Sequence, residues 1–510
     1  MSSRCMNPRK SLLPALAAAA VSLLPSPVAA HAIDGGFPLP VPLWLYLAGA
    51  AAAVAASFVV VAIANRRPRP GTRRGAPIHP AIGAVARLIL RVVGLVWWYG
   101  AIGVGIFVGD ISPLPAVALW VGIWIALPIV SAVFGNPWPS MSPFRTTFAA
   151  LEWLAERGGM RLDAGLRYPA RLARWPAVLL LGAAIWAELI LPEGGRAATV
   201  AGLMIGYTLL TLVGMSAFGT VAWLRNVELF EVLLGWYGRI GPIGRRSVAA
   251  ELCAECSEGC DAGNCVDCPE CVAGARDSER RAELRPWLRG LTKVRGAAWS
   301  DAAFVVLLLV GVTYDGLRET PVAVLLLSAV LTPINAAFGL TLATFLLVDT
   351  AILLLLYAAF LAAFTLVAIV TRTLQDDRSA LATTAGAYAA TLLPIAAGYL
   401  VAHYLTLVIQ SAVWLPSLLA DPLMSLSPEI GWIPIGVIWY LSVASIVGGH
   451  VAGVALAHRL ALLHAPRRAL LVGVPMVLLM VGYTVMSLWI IAQPIVVEPG
   501  VGPLQAGIGS

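Results

Sequence analysis

Ten runs of seventeen to twenty-eight mostly apolar residues recur along the chain, near 41–63, 89–109, 115–135, 176–192, 198–220, 298–315, 343–370, 384–409, 433–457 and 470–493. A helix of about 20 residues crosses the hydrocarbon core of a bilayer. Inside lipid, every backbone N–H and C=O must be satisfied within the segment, so runs of this kind fold as helices. The pattern predicts an all-α polytopic membrane protein with about ten transmembrane helices. An eleventh stretch, 321–342, is interrupted by Pro333 and Asn335 and is ambiguous: a re-entrant or surface helix, or an eleventh span. Charged residues make up only 12% of the 510, against about 25% in soluble domains. The principal partner is therefore the lipid bilayer.

The charges orient the chain. Arg66, Arg67, Arg69, Arg73 and Arg74 follow the first run, and the 136–175 loop holds Arg145, Arg157, Arg161, Arg167, Arg171 and Arg174. The long segment 223–297 carries ten arginines and Lys293. The short turns near 110–114 and 193–197 hold one basic residue, Arg196. Basic loops stay cytoplasmic, so the sequence predicts a multi-pass protein of the bacterial inner membrane with both termini outside. The net charge of +7 reports orientation. No basic patch interleaved with aromatics suggests nucleic acid.

Residues 1–30 have the form of a secretory signal: Arg4, Arg9 and Lys10, an apolar run, then Val28-Ala29-Ala30 as a cleavage site. The expected organisation is a signal peptide at 1–30, five spans over 41–220, a cytoplasmic loop at 223–297, five spans over 298–493 and an external tail at 494–510. The opening of the loop, from Trp223, mixes apolar and charged residues at helical spacing and is expected along the membrane interface.

Within that loop lie Cys253, Cys256, Cys260, Cys265, Cys268 and Cys271, six of the seven cysteines. In a reducing cytosol structural disulfides are rare, and paired C-x-x-C spacings indicate a metal site. Zinc closed by four thiolates is the expectation, most simply through Cys253, Cys256, Cys265 and Cys268. An iron–sulfur cluster on the Cys265, Cys268 and Cys271 run is the alternative, although the usual fourth ligand pattern is missing.

Ionisable groups inside spans are costly and mark functional sites by default. His403 lies in LLPIAAGYLVAHYLTLVIQ, Asp349 near the start of its run, and Asp315 at the outer end of VTYDGL. Counted at ~1.5 Å per residue, His403 and Asp349 lie roughly 10 Å deep and Asp315 at the outer end of its span, so the three could form an outer-leaflet group. A metal-bound water held by His403 with Asp349 or Asp315 could act as a nucleophile. The plainer expectation for each residue alone is a hydrogen bond to a neighbouring helix. His450, set among small residues in SIVGGHVAGVALAH, and His458 at the inner boundary fit that role, His450 bridging to a neighbour.

The runs LLPIAAGYLVAHYL and IWYLSVASIVGGHVAGVALAHRLALL, the YDG of VTYDGL, FGNPWPSMSPFRT and the segment HAIDGGFPLPVPLWLYLAGAAAAVAASFV resemble a family of bacterial multi-spanning proteins named fenitrothion hydrolase. The resemblance covers most of the chain in order. It implies hydrolysis of a small, lipophilic organophosphate triester by a membrane-bound enzyme. The six-cysteine segment is outside that pattern. No Gly-x-Ser-x-Gly elbow is present, which favours a metal-bound water for such an enzyme. A metal- or redox-handling membrane protein and a transporter without hydrolytic activity are the alternatives.

Overall fold

The structure, a computed structural model, describes residues 37–497 apart from 39–40, 65–75, 78–79, 249–250, 252–266, 269–270, 272–274, 276–278, 294–297, 376–379 and 424–432. The expected signal peptide, the tail beyond 497, and Cys253, Cys256, Cys260 and Cys265 lie outside the described residues.

The chain is all-α, and ten helices are long and apolar enough to cross a membrane. In chain order the helices of the first half are α1 (Leu43–Ala64), α2 (Pro80–Phe107), α3 (Leu114–Phe134), α4 (Trp138–Met141), α5 (Pro143–Arg157), α6 (Trp175–Leu189), α7 (Ala197–Phe218), α8 (Thr220–Asn226) and α9 (Leu229–Gly238). The second half contributes α10 (Trp299–Arg318), α11 (Pro321–Phe338), α12 (Leu342–Leu374), α13 (Leu381–Ala420), α14 (Ile435–His464) and α15 (Ala469–Ile495). Five short strands accompany them: β1 (Phe37–Pro38), β2 (Ala76–Pro77), β3 (Ile243–Ser247), β4 (Arg280–Leu284) and β5 (Val496–Val497).

The expected run at 176–192 appears as α6, only fifteen residues long, or ~22 Å. Two contacts show that it still traverses the bundle. At its start Arg174 Nη1 lies 2.5 Å from Asp301, three residues into α10. At its end the Leu189 carbonyl accepts from Arg318, the last residue of α10. The two helices therefore run side by side over the same depth.

The ambiguous stretch forms α11, with only 6% of its apolar window buried. Asp349, near the start of α12, pairs with Arg318 at the end of α10 at 3.4 Å. Farther along α12, the Tyr357 hydroxyl donates to the carbonyl of Ala303, near the start of α10. The two helices are antiparallel, so both ends of α11 lie on one side of the membrane and α11 does not cross. Nine of the long helices plus α6 then give ten crossings. An even number returns the chain to the side where it began, and β1 pairs in parallel with β5.

The arginine-rich loops gather at the other end of the bundle. β2, β4 and β3 form a three-stranded antiparallel sheet that ties the loop after α1 to the long loop after α9. Arg245 on β3 donates to the Asn136 carbonyl at 2.8 Å, fastening the third arginine-rich loop to the same face.

Packing places α10 at the centre: 89% of its apolar window is buried. Lipid offers no hydrophobic drive between helices, so close approach through small residues and interhelical hydrogen bonds must hold such a bundle. At Gly398 and Gly449 a Cβ would collide with the Ser445 and Pro394 carbonyls, respectively. These glycines let α13 and α14 meet backbone to backbone.

The opening of the long loop departs from expectation. Instead of lying along the interface, α9 is buried at nine of ten positions. Its charged groups are matched internally. Glu228 caps it, accepting from Phe230 N (3.0 Å), Glu231 N (2.7 Å), the Tyr207 hydroxyl (2.6 Å) and Trp138 Nε1 (3.0 Å). Arg145 pairs with Glu231 at 3.0 Å. Trp138 and Arg145 come from FGNPWPSMSPFRT, so that motif anchors a helix inserted into the bundle.

Candidate functional site

Asp315 and His403 meet. On the side away from the arginine-rich loops, His403 Nε2 of α13 lies 2.9 Å from Asp315 Oδ2 of α10. The Tyr404 hydroxyl donates to the same oxygen at 2.5 Å. His403 is 3% exposed and Asp315 18%, so the pair is largely removed from solvent. Both donors fall on the same carboxylate oxygen. With the carboxylate as acceptor, the imidazole donates from Nε2.

Gly316 makes this packing possible. A Cβ there would stand 2.7 Å from Ile490 Cγ2, 3.1 Å from the Tyr399 hydroxyl and 3.2 Å from His403 Cε1. Tyr399 is one turn before His403, with ring centroids 6.1 Å apart. Its buried hydroxyl has no hydrogen-bond partner among the described residues.

Asp349 takes another role. Tyr314 donates to its Oδ1, and Arg318 pairs with Oδ2 at 3.4 Å. Tyr314 and Arg318 flank Asp315 in sequence, so Asp349 belongs to the same cluster of helices. Its oxygens are directed to the arginine and tyrosine, not to His403.

Sequence reasoning missed Glu188. It sits in the apolar run of α6 and accepts from Trp124 Nε1 at 2.5 Å. The signal was available: a lone carboxylate in IWAELIL. Glu188, Trp124, Gly311, Tyr237 and Tyr404 line a cavity of about 30 Å³, room for a water or two. Tyr404 thus stands both on the wall of this cavity and against Asp315.

The other two histidines lie elsewhere. His450 is fully buried, and its Nδ1 is 2.8 Å from the Ile446 carbonyl of its own helix. That bond replaces the expected bridge to a neighbouring helix. His458 is buried and meets the Phe58 ring edge-on at 5.8 Å.

A catalytic zinc takes three protein ligands and a water. Here His403 and Asp315 turn their ligating atoms on each other, and Asp349 is engaged by Tyr314 and Arg318. No group of three or more His, Cys, Asp or Glu is placed to hold a metal among the described residues. The donor set around His403 therefore does not fit the expected catalytic metal. In the cysteine segment, Cys268 and Cys271 are described, and both are buried.

Fold and site together define a polytopic helical membrane protein with an Asp–His–Tyr cluster embedded between its central helices. Comparisons with protein-family models, curated proteins and solved structures find no match.

Proposed function

We propose that this protein is a membrane-embedded hydrolase of lipophilic organophosphate triesters of the fenitrothion type, with Asp315 and His403 as its general-base dyad. The observation that carries the reading is the 2.9 Å contact between His403 Nε2 and Asp315 Oδ2, in a region where ionisable groups are costly to keep. The sequence resemblance supplies the substrate class. Asp315 orients the imidazole and stabilises its protonated form. In this reading His403 takes a proton from water, the water oxygen attacks phosphorus, and the aryloxide leaves. The Tyr399 hydroxyl, buried with no hydrogen-bond partner among the described residues, supplies a donor for the phosphoryl oxygen or sulfur. The substrate is uncharged and enters from the lipid side, because the cavity beside Tyr404, at about 30 Å³, is too small to admit it.

A second reading, proton-coupled transport, is favoured by one observation: Glu188 and Tyr404 line a water-sized cavity next to Asp315. Chains of acidic and histidine groups in spans serve as proton relays. Purified protein in nanodiscs, given an aryl dialkyl phosphate, separates the two. Release of the phenol supports the hydrolase. No release, with proton uptake in proteoliposomes, supports transport.

The burial of Cys268 and Cys271 favours a structural zinc on the cysteine segment, with an iron–sulfur cluster as the alternative. Elemental analysis of the purified protein tests it. Replacing Cys268 and Cys271 together should release the metal, and unchanged metal content would place it elsewhere.

A further inference from the structure

The end of α3 on the arginine-rich side carries an apolar patch that continues onto the sheet. Val133 and Phe134 close α3, and both are exposed. Gly135 follows them, and a Cβ there would stand 2.3 Å from the Ile243 carbonyl, so β3 abuts the end of the helix. Ile243 is paired directly with Leu284 of β4, which sets the two side chains beside each other on one face of the sheet. Just past β4, Trp287 donates its indole N–H to the Val133 carbonyl at 3.0 Å and leaves its ring in the open. Leu284 is 53% exposed and Trp287 60%. Val133, Phe134, Ile243, Leu284 and Trp287, drawn from distant parts of the chain, thus form one exposed apolar region. Exposed apolar patches of this kind mark contacts with a membrane or a partner.

Depth decides between the two. α3 has 21 residues, about 30 Å by the rise of a helical residue, which matches the hydrocarbon core of a bilayer. It begins beside the turn that holds Asp110, so Val133 and Phe134 reach the opposite edge of the core. Val130, one turn earlier, is exposed as well. The patch on the sheet therefore continues the lipid-facing side of a crossing helix. Along the same ladder Arg246 stands opposite Arg281, about 10 Å from the Ile243–Leu284 pair by the rise of a strand residue. The sheet is apolar where it meets α3 and basic away from it.

We propose that the sheet of β2, β4 and β3 is seated in the lipid leaflet on the arginine-rich side, with Ile243, Leu284 and Trp287 at the acyl-chain boundary and the arginine-bearing end among the headgroups. A tryptophan with a bonded N–H and an open ring suits that boundary. Apolar contact below and basic groups above is the pattern of elements that lie on a membrane. A soluble protein docked on Leu284 and Trp287 would have to displace lipid from Phe134 as well. The long loop thus meets lipid through its sheet, while α9 is enclosed by the bundle. The seat is on the opposite side of the bundle from Asp315 and His403 and is independent of their chemistry.

Photo-crosslinking of the full-length protein in phosphatidylcholine nanodiscs, one copy per disc, tests the seat. Leu284→p-benzoylphenylalanine should give phospholipid adducts, read by mass spectrometry, in a yield within about threefold of the same substitution at Leu179, which is exposed on the crossing helix α6. Trp287→p-benzoylphenylalanine should do the same if the first variant does not fold. A lipid-adduct yield below that range at both positions would overturn the proposal and leave the patch to the aqueous phase. Cross-links between copies at these positions in proteoliposomes, without lipid adducts, would overturn it in favour of an interface between two copies of the chain.

Discussion

At the scale of single residues, Gly316 tests the geometry of the cluster. Ala is normally the better helix former, yet a Cβ here meets Ile490, Tyr399 and His403 within 3.2 Å. Gly316→Ala should lower stability by about 1–3 kcal/mol through overpacking and displace the imidazole. A melting temperature equal to wild type would show that the site is looser than described. Glu228 gives a pH test, since it lies in the turn between α8 and α9, outside the ten crossing helices. Burial pushes its carboxyl up to about 7, against the opposing hydrogen bonds from Tyr207 and Trp138. The folded state thus favours the protonated form, so its contribution is present at low pH and lost as pH rises through about 7. The detergent-solubilised protein should melt lower at pH 8.5 than at pH 6, and Glu228→Gln should flatten the difference. A slope that survives in the variant would assign the titration to another group. His403 and Asp315 were legible in the sequence because each is an ionisable group in an apolar run. Glu188 carried the same signal and was overlooked. The partnership of Asp349 with Arg318 was not legible, because it depends on which face of α12 turns toward α10.

At the scale of elements, hydrophobic periodicity located the crossing helices, including the short α6. It could not decide α9 or α11, whose lengths and compositions fit more than one depth. In α9 the misleading feature was charge: Glu228 and Glu231 suggested a wet surface, but Tyr207, Trp138 and Arg145 satisfy them within the protein. Removing the cap should therefore be severe. Glu228→Ala leaves buried donors unsatisfied, each at about 1–3 kcal/mol, and should release α9, raising proteolysis between α8 and β3. Unchanged proteolysis would mean that packing alone holds the helix. For α11, both ends share a side. Single cysteines placed at Thr320 and Leu340 in a cysteine-free background should react with an impermeant thiol reagent from the same side. Labelling from opposite sides would make α11 a crossing helix.

At the scale of the whole molecule, ten crossings and the parallel pairing of β1 with β5 put the beginning and end of the described chain on one side. The ionisable cluster is toward that side, and the basic loops are at the other. Charge asymmetry alone predicts the same division. What sequence could not supply is the convergence of α6, α10, α12 and α13 on one point, since it arises from tertiary contacts between residues up to 164 positions apart, as in Trp186 with Thr350. The central claim is that Asp315 and His403 form the reactive pair while Asp349 positions Arg318. Phosphotriester turnover by Asp315→Asn, His403→Ala and Asp349→Asn, each checked for folding in the same nanodisc preparation, tests it most directly. Loss of a general base removes about 10²-fold or more of the rate. The account predicts that drop for the first two variants and a smaller loss for Asp349→Asn. Wild-type turnover in His403→Ala, or a larger loss in Asp349→Asn than in Asp315→Asn, would contradict it.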